Sequence, residues 1–177
     1  SLAKKKGLRI PVVYNSSGYE KPETLRLLQG LVDVYLPDFK YLSRELSQKF
    51  SHAEDYGDRA KEALKEMIRQ AGSPRFDERG MIRGGVIVRH LLLPGHVEES
   101  KRVVEYLYKT YGNQIYISIM NQYTPMPAMA KDPLLSRRVT KREYRRLVDY
   151  AVSLGVEQGF IQEGDTAEES FIPEFYD

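Results

Sequence analysis

The segment from Val86 to Leu93 is apolar except for Arg89 and His90, and it is rich in β-branched side chains. A run of this length is too short to span a membrane, and it lacks the alternation of a strand with one solvated face. It therefore predicts a strand buried on both faces, which is typical of parallel sheets covered by helices.

Further strand-like and helical segments alternate along the chain. The other apolar, β-branched runs are residues 10–14, 32–39, 115–120 and 159–161. The apolar spacing of an amphipathic helix marks residues 60–71, 104–111 and 144–151, and a shorter helix opens at Pro22. Thr140 and Glu143 have the spacing of a capping box. This alternation predicts an α/β fold with a parallel sheet.

Two architectures fit such a pattern. An open doubly wound sheet normally carries a glycine-rich phosphate-binding turn after its first strand, and this chain has none. A complete TIM barrel needs about 250 residues, whereas the chain has 177. We therefore expect one domain, residues 1–177, with a partial TIM-barrel-like fold. The segment Leu2–Gly7 has the pattern of a last helical turn, so the chain is expected to begin within a βα unit. A frayed, lysine-rich tail is the alternative.

Composition excludes several classes of site and partner. The chain has no cysteine, which excludes disulfides, thiolate metal sites and cysteine-held iron–sulfur clusters within it. The three histidines lack metal-ligand spacing, so no metal site is expected. The basic run between Arg137 and Arg146 falls on a solvated helix face without aromatic stacking groups, and we expect no nucleic-acid partner. With neither a membrane span nor a signal peptide, we expect a cytoplasmic protein.

Candidate binding residues follow the predicted strands, because ligands of parallel barrels bind at the carboxyl ends of the strands. Asp38 and Lys40 are two positions apart and therefore share a face of the strand. Together they can bind the ammonium and carboxylate groups of an amino-acid-like ligand, although a structural ion pair has the same spacing. Asn15 follows the first strand, and Tyr123 follows the fourth.

Arg89 and His90 interrupt the most apolar strand. Because they are adjacent, one side chain faces the barrel interior and the other faces the helices. A charged group in so apolar a run needs a partner or a ligand. A lone histidine there is interpreted either as a binding residue or as a hydrogen-bonded core residue.

Several blocks, in order along nearly the whole chain, resemble a known family. They are residues 12–23 (VVYNSSGYEKPE), 32–40 (VDVYLPDFK), 85–95 (GVIVRHLLLPG), 121–123 (NQY) and 159–162 (GFIQ). These blocks resemble radical S-adenosylmethionine proteins related to pyruvate formate-lyase activating enzymes, in particular a less characterised branch of that group.

The resemblance implies a partial TIM barrel that binds S-adenosylmethionine beside a [4Fe–4S] cluster. In that family, reductive cleavage of the cofactor yields a 5′-deoxyadenosyl radical, which abstracts hydrogen from a substrate or from a glycine of a partner glycyl-radical enzyme. Asp38 and Lys40 match residues that contact the methionine moiety, and Arg89 matches an arginine on the next core strand. Asn15 stands in place of an aspartate, and Tyr123 stands in place of a cofactor-contacting histidine.

Two family motifs are absent from the chain. These are the cluster motif C-x-x-x-C-x-x-C and the Gly-Gly-Glu stretch that holds the cofactor's amino group. We therefore expect the chain to be the C-terminal part of a longer enzyme and to be inactive alone. A non-enzymatic half-barrel that binds a partner through exposed sheet edges is the alternative. A third hypothesis is a barrel enzyme that uses Asp38, Lys40 and His90 for acid–base chemistry.

Overall fold

The structure is a computed structural model that describes residues 2–163 and 168–171. Its strands are β1 (Val13–Ser16), β2 (Val34–Pro37), β3 (Arg75–Phe76), β4 (Ile82–Leu91), β5 (Tyr116–Met120), β6 (Gly159–Glu163) and β7 (Glu168–Phe171). Its α-helices are α1 (Leu2–Lys5), α2 (Pro22–Arg26), α3 (Arg44–Ser51), α4 (Tyr56–Ala71), α5 (Val97–Tyr111) and α6 (Lys141–Ser153). The α/β prediction is confirmed.

One sheet joins all the described strands, in the order β1-β2-β4-β5-β6-β7. The pairs from β1 to β6 are parallel, whereas β7 runs antiparallel to β6 and β3 runs antiparallel to the start of β4. Successive parallel strands are neighbours, so the order contains no reversal of the kind that marks a doubly wound sheet. This α/β arrangement is compatible with a partial βα barrel.

The core lies between this sheet and the helices that follow its strands. Strand β4 contributes Val86 and Val88 to it, and β5 contributes Ile117 and Ile119, all fully buried. Helix α6 begins where the sequence predicts, because the Thr140 side chain accepts a hydrogen bond from the Glu143 N–H while the Glu143 carboxylate accepts one from the Thr140 N–H. Because β1, β2, β4, β5 and β6 run parallel, their carboxyl ends lie at one edge of the sheet.

The starts of two strands and one whole helix differ from the sequence prediction. Strand β1 begins at Val13 rather than at residue 10, because Pro11 has no N–H and the Val12 N–H donates instead to the Asp33 carboxylate. Strand β4 begins before residue 86, because β3 pairs with its first residues in a hairpin. Helix α3 lies in the polar segment 41–56, for which the sequence analysis predicted no element, and Ser43 caps its N-terminus.

The N-terminal turn is helical, as predicted. Helix α1 ends shortly before Gly7, which has a φ of +96°. The Lys4 ammonium bonds Asp33 Oδ1 at 2.7 Å and ties this helix to the segment before β2. On its outer side β1 pairs with no strand that the structure describes, and Val13 on this edge is 50% exposed.

Candidate functional site

A cavity of about 510 Å³ opens where β2, β4 and β5 end. We call it the strand-end cavity. It is lined by Asp38, Lys40, Tyr41, Phe50, Ser51, Arg89, Leu91, Leu93, Met120, Gln122, Tyr123, Thr124, Met126, Met129 and Leu135. Four of the residues predicted from the sequence (Asp38, Lys40, Arg89 and Tyr123) therefore share one cavity, at the edge where parallel barrels bind their ligands.

Asp38 pairs with Arg89 on the neighbouring strand. The Arg89 Nε and Nη2 atoms lie 2.9 and 2.7 Å from Asp38 Oδ1, and the same Nη2 donates to Asn15 Oδ1 at 2.7 Å. The backbones of Asp38, just beyond β2, and Arg89 form a parallel bridge, which places the two residues opposite each other. Asp38 therefore pairs with Arg89, which also bonds Asn15, and the alternative of a structural ion pair between Asp38 and Lys40 is not found.

Lys40 presents a half-buried ammonium group to the cavity. Among residues 2–163, no carboxylate or hydrogen-bond acceptor contacts Lys40 Nζ. Both contacts of Arg89 with Asp38 fall on Oδ1, which leaves Oδ2 facing no donor from the described part of the chain. The polar end of the cavity therefore offers one cation and one carboxylate oxygen to a ligand.

His90 lies on the opposite face of β4 from Arg89. Its side chain is 1% exposed, and its Nδ1 is 2.8 Å from the carbonyl oxygen of Phe39. Burial lowers the pKa of this imidazole, so the neutral form is favoured. His90 is absent from the lining of the strand-end cavity. This placement matches the interpretation as a hydrogen-bonded core residue, and we leave His90 out of the candidate binding set.

Tyr123 contributes its ring to the cavity, but its hydroxyl is already engaged. The hydroxyl donates to the Leu135 carbonyl oxygen at 2.8 Å, and the side chain is buried. Burial, together with the negative charge of Asp132, raises the pKa of Tyr123. The ring is thus a neutral, fixed part of the cavity wall.

Two residues outside the predicted set hold the cavity's polar end in place. The buried Tyr56 hydroxyl lies 2.8 Å from the Ser17 carbonyl oxygen and 3.0 Å from that of Asp38, and it accepts the Lys40 N–H at 3.1 Å. Gly18 packs against Asp38 so closely that a Cβ would lie 2.2 Å from the Asp38 carbonyl oxygen. The turn residues Asn-Ser-Ser-Gly signal the glycine, whereas no local signal marks Tyr56.

Comparisons with known proteins give one distant relative. Over 143 residues, or 80% of this chain, the sequence is 32% identical to the uncharacterized protein MJ0674 of Methanocaldococcus jannaschii. The match spans 38% of that protein's length. No protein-family model matches the chain, and no solved structure matches it. The relative's name states no activity.

Two features of the described residues concern metal ions and membranes. No cluster of three or more His, Cys, Asp or Glu side chains is arranged to hold a metal ion within residues 2–163. None of the helices in this range has the length and apolar character needed to cross a bilayer.

Proposed function

We propose that the intact protein is a radical S-adenosylmethionine enzyme of the pyruvate formate-lyase activating type, and that this chain supplies the C-terminal part of its barrel. One observation carries the proposal. Asp38 and Lys40, which match the family's D-x-K pattern, share a cavity at the carboxyl ends of parallel strands with Arg89, which matches the family's arginine. The sequence blocks that carry the resemblance thus supply the polar end of one cavity.

The polar end of the strand-end cavity suits an amino-acid head group. The Lys40 ammonium can bind a carboxylate, and Asp38 Oδ2 can accept a hydrogen bond from an ammonium group. Arg89 holds the Asp38 carboxylate by two contacts on its other oxygen, so the orientation of Asp38 is set before a ligand arrives. These side chains would bind and orient the methionine end of the cofactor.

The chain does not provide the ligands of an iron–sulfur cluster, because it contains no cysteine. In the proposal, the cluster is held by another part of the intact protein. When bound together, cluster and cofactor would supply a one-electron reductive cleavage and a hydrogen abstraction. The residues described above would bind and orient the cofactor's head group.

Binding of L-methionine to this chain tests the proposed site by isothermal titration calorimetry. We expect Lys40→Met to weaken binding by about tenfold or more, since the variant removes a cavity-lining ammonium that no acceptor from the described residues pairs with. Lys65→Met is the matched control, because Lys65 is exposed on α4, away from the cavity. Equal methionine affinity in the Lys40→Met and Lys65→Met variants would contradict the assignment.

The activity is tested on the product of the complete coding sequence, prepared without oxygen and reconstituted with iron and sulfide. We expect reductive cleavage of S-adenosylmethionine to methionine and 5′-deoxyadenosine, and loss of cleavage in the Asp38→Asn variant. A reconstituted [4Fe–4S] signal from this chain alone would overturn the proposal. An upstream coding sequence without C-x-x-x-C-x-x-C would do the same.

A second candidate function is a half-barrel binding module, and the free edge of the sheet favours it. Ile10 is 68% exposed and Val13 is 50% exposed beside β1, whose outer side pairs with no described strand. An unpaired apolar edge can add a strand from a partner. Size-exclusion chromatography with light scattering tests this function by measuring the oligomeric state. A chain that is monomeric at all concentrations and retains no partner would count against it.

A further inference from the structure

We propose that the outer part of the strand-end cavity binds a small molecule with an apolar chain or ring, and that this molecule is the substrate of the intact protein. The inference rests on the proposed function, since the polar end is there taken by the cofactor's methionine group. It names a substrate class different from the glycine backbone of a partner enzyme.

The lining of the cavity beyond its polar end is mostly apolar, with Ser51, Gln122 and Thr124 as its polar members. Phe50 comes from α3, Leu91 and Leu93 come from the end of β4 and the loop after it, and Met126, Met129 and Leu135 come from the segment after β5. Methionine side chains are flexible and polarizable, so they adapt to apolar ligands of different shape. This wall therefore favours alkyl or ring surface.

The segment after β5 is held across the cavity rather than open to a partner. Asp132 bonds Lys49 of α3 at 2.9 Å, and its other oxygen accepts the N–H groups of Leu134 and Leu135. The Tyr123 hydroxyl bonds the Leu135 carbonyl oxygen from the opposite side of the segment. Cavity and segment thus form a bounded pocket whose volume of about 510 Å³ lies in the range typical of small-molecule sites.

A peptide backbone is poorly matched to this pocket. Each residue of a bound peptide brings an N–H and a carbonyl group, which lose stability if they are buried without partners. The alkyl, thioether and phenyl groups that make up most of this lining provide no such partners, and Ser51, Gln122 and Thr124 can pair with only a few of these groups. A chain or ring without polar groups loses nothing there and gains from the removal of apolar surface from water.

Binding of primary alcohols to this chain tests the inference by ligand-observed NMR, because the probes 1-butanol, 1-hexanol and 1-octanol are uncharged. We expect affinity to rise by about threefold per methylene group. Met129→Gln should weaken 1-octanol binding by about fivefold, and Met126→Gln serves as a second variant of the same wall. Met81→Gln is the matched control, because Met81 is 62% exposed in the hairpin and lies outside the cavity.

The result separates the two proposals. Lys65→Met should leave both methionine binding and 1-octanol binding unchanged, since Lys65 is exposed and lies outside the cavity. Alcohol binding that is independent of chain length, or equal in the Met129→Gln and Met81→Gln variants, would overturn this inference alone. Binding of the peptide acetyl-Ala-Gly-Ala-amide more tightly than 1-octanol would also overturn it. Failure of methionine binding with normal alcohol binding would overturn only the proposed cofactor site.

Discussion

The hydroxyl of Tyr56 accepts a hydrogen bond from the backbone N–H of Lys40, 3.1 Å away. This contact joins the first turn of α4 to the segment after β2, which carries both Asp38 and Lys40. The same hydroxyl lies within hydrogen-bonding distance of the carbonyl oxygens of Ser17 and Asp38. A single buried side chain therefore organises the backbone on which the polar end of the cavity is built.

The Tyr56 hydroxyl should matter more to stability than that of an exposed tyrosine. Tyr56→Phe leaves a buried N–H and two carbonyl groups without this partner, and we expect a loss of about 2 kcal/mol in the free energy of unfolding. Urea denaturation measures this loss in the free energy of unfolding, provided that the wild type and the variant have the same m-value. Tyr19→Phe is the control, because Tyr19 is 41% exposed and its hydroxyl bonds Asp55 at the surface, where water can take the place of the hydroxyl. Its cost should stay below about 1 kcal/mol. Equal losses in the two variants would contradict the prediction.

Gly18 and Gly80 allow the effect of close packing to be separated from that of backbone conformation. Both have a φ of +73°, but an added Cβ would collide with the Asp38 carbonyl oxygen only at Gly18. We expect Gly80→Ala to cost about 1 kcal/mol from its backbone conformation. Gly18→Ala should cost about 3 kcal/mol or more, because it adds a clash. Thermal unfolding compares the two, and similar melting temperatures would show that Gly18 is not tightly packed.

Glu143 should make the stability of the fold dependent on pH in the acid range. The Arg137 guanidinium beside it, together with the N–H groups of Thr140 and Gly95, holds the pKa of this carboxyl well below its ordinary value of 4.5. The unfolded chain thus binds a proton that the folded chain does not, so stability is present above pH 4.5 and is lost as pH falls below it.

The Glu143→Gln variant tests this. We expect the variant to be about 1.5 kcal/mol less stable at pH 7. The difference should narrow by about 1 kcal/mol at pH 4, where the wild type has lost part of its advantage. Urea midpoints at the two pH values measure the change. Glu157→Gln is the control, because the Glu157 carboxylate is exposed. If the difference in unfolding free energy between the wild type and Glu143→Gln were the same at both pH values, this would argue against a depressed pKa of Glu143.

His90 should affect stability at a higher pH than Glu143. Because burial lowers the pKa of His90 below the ordinary 6.5, the unfolded chain takes up a proton first as pH falls. Stability is therefore full above pH 6.5 and decreases below it, by about 1 kcal/mol between pH 7.5 and pH 5.5. In the His90→Asn variant this part of the decrease should be absent. His52→Asn is the control, because His52 is exposed, and this variant should show the same decrease in stability as the wild type. If the unfolding free energy changed with pH equally in both variants, the prediction would be contradicted.

Local sequence patterns predicted the five parallel strands and every described α-helix except α3, but not the antiparallel strands β3 and β7. The apolar run at Val86–Leu93 marks β4, and the Thr140–Glu143 capping box marks the start of α6. Both signals act over a few residues, because periodicity and capping depend on neighbours along the chain. Helix α3 was missed because it is short and polar, with Leu46 and Phe50 as its only large apolar residues, although Ser43 has the character of an N-cap.

The sequence also located four residues of the strand-end cavity, since parallel strands bring their carboxyl ends to one edge. It could not decide which of them pair. Asp38 is two positions from Lys40, yet its ion pair is with Arg89, because the register between neighbouring strands places Arg89 opposite it. Strand register depends on long-range backbone pairing, which local patterns do not encode.

What the sequence determined by itself was therefore the α/β class and the residue types available at the strand ends. What only the tertiary structure decided was the placement of the Lys40 ammonium in the cavity with no partner from the described residues, the burial of His90 on the face of β4 opposite Arg89, and the role of Tyr56. These properties depend on contacts between segments that are distant in sequence. Their energies depend on burial and on hydrogen-bond partners, which exist only once the sheet and helices have packed together.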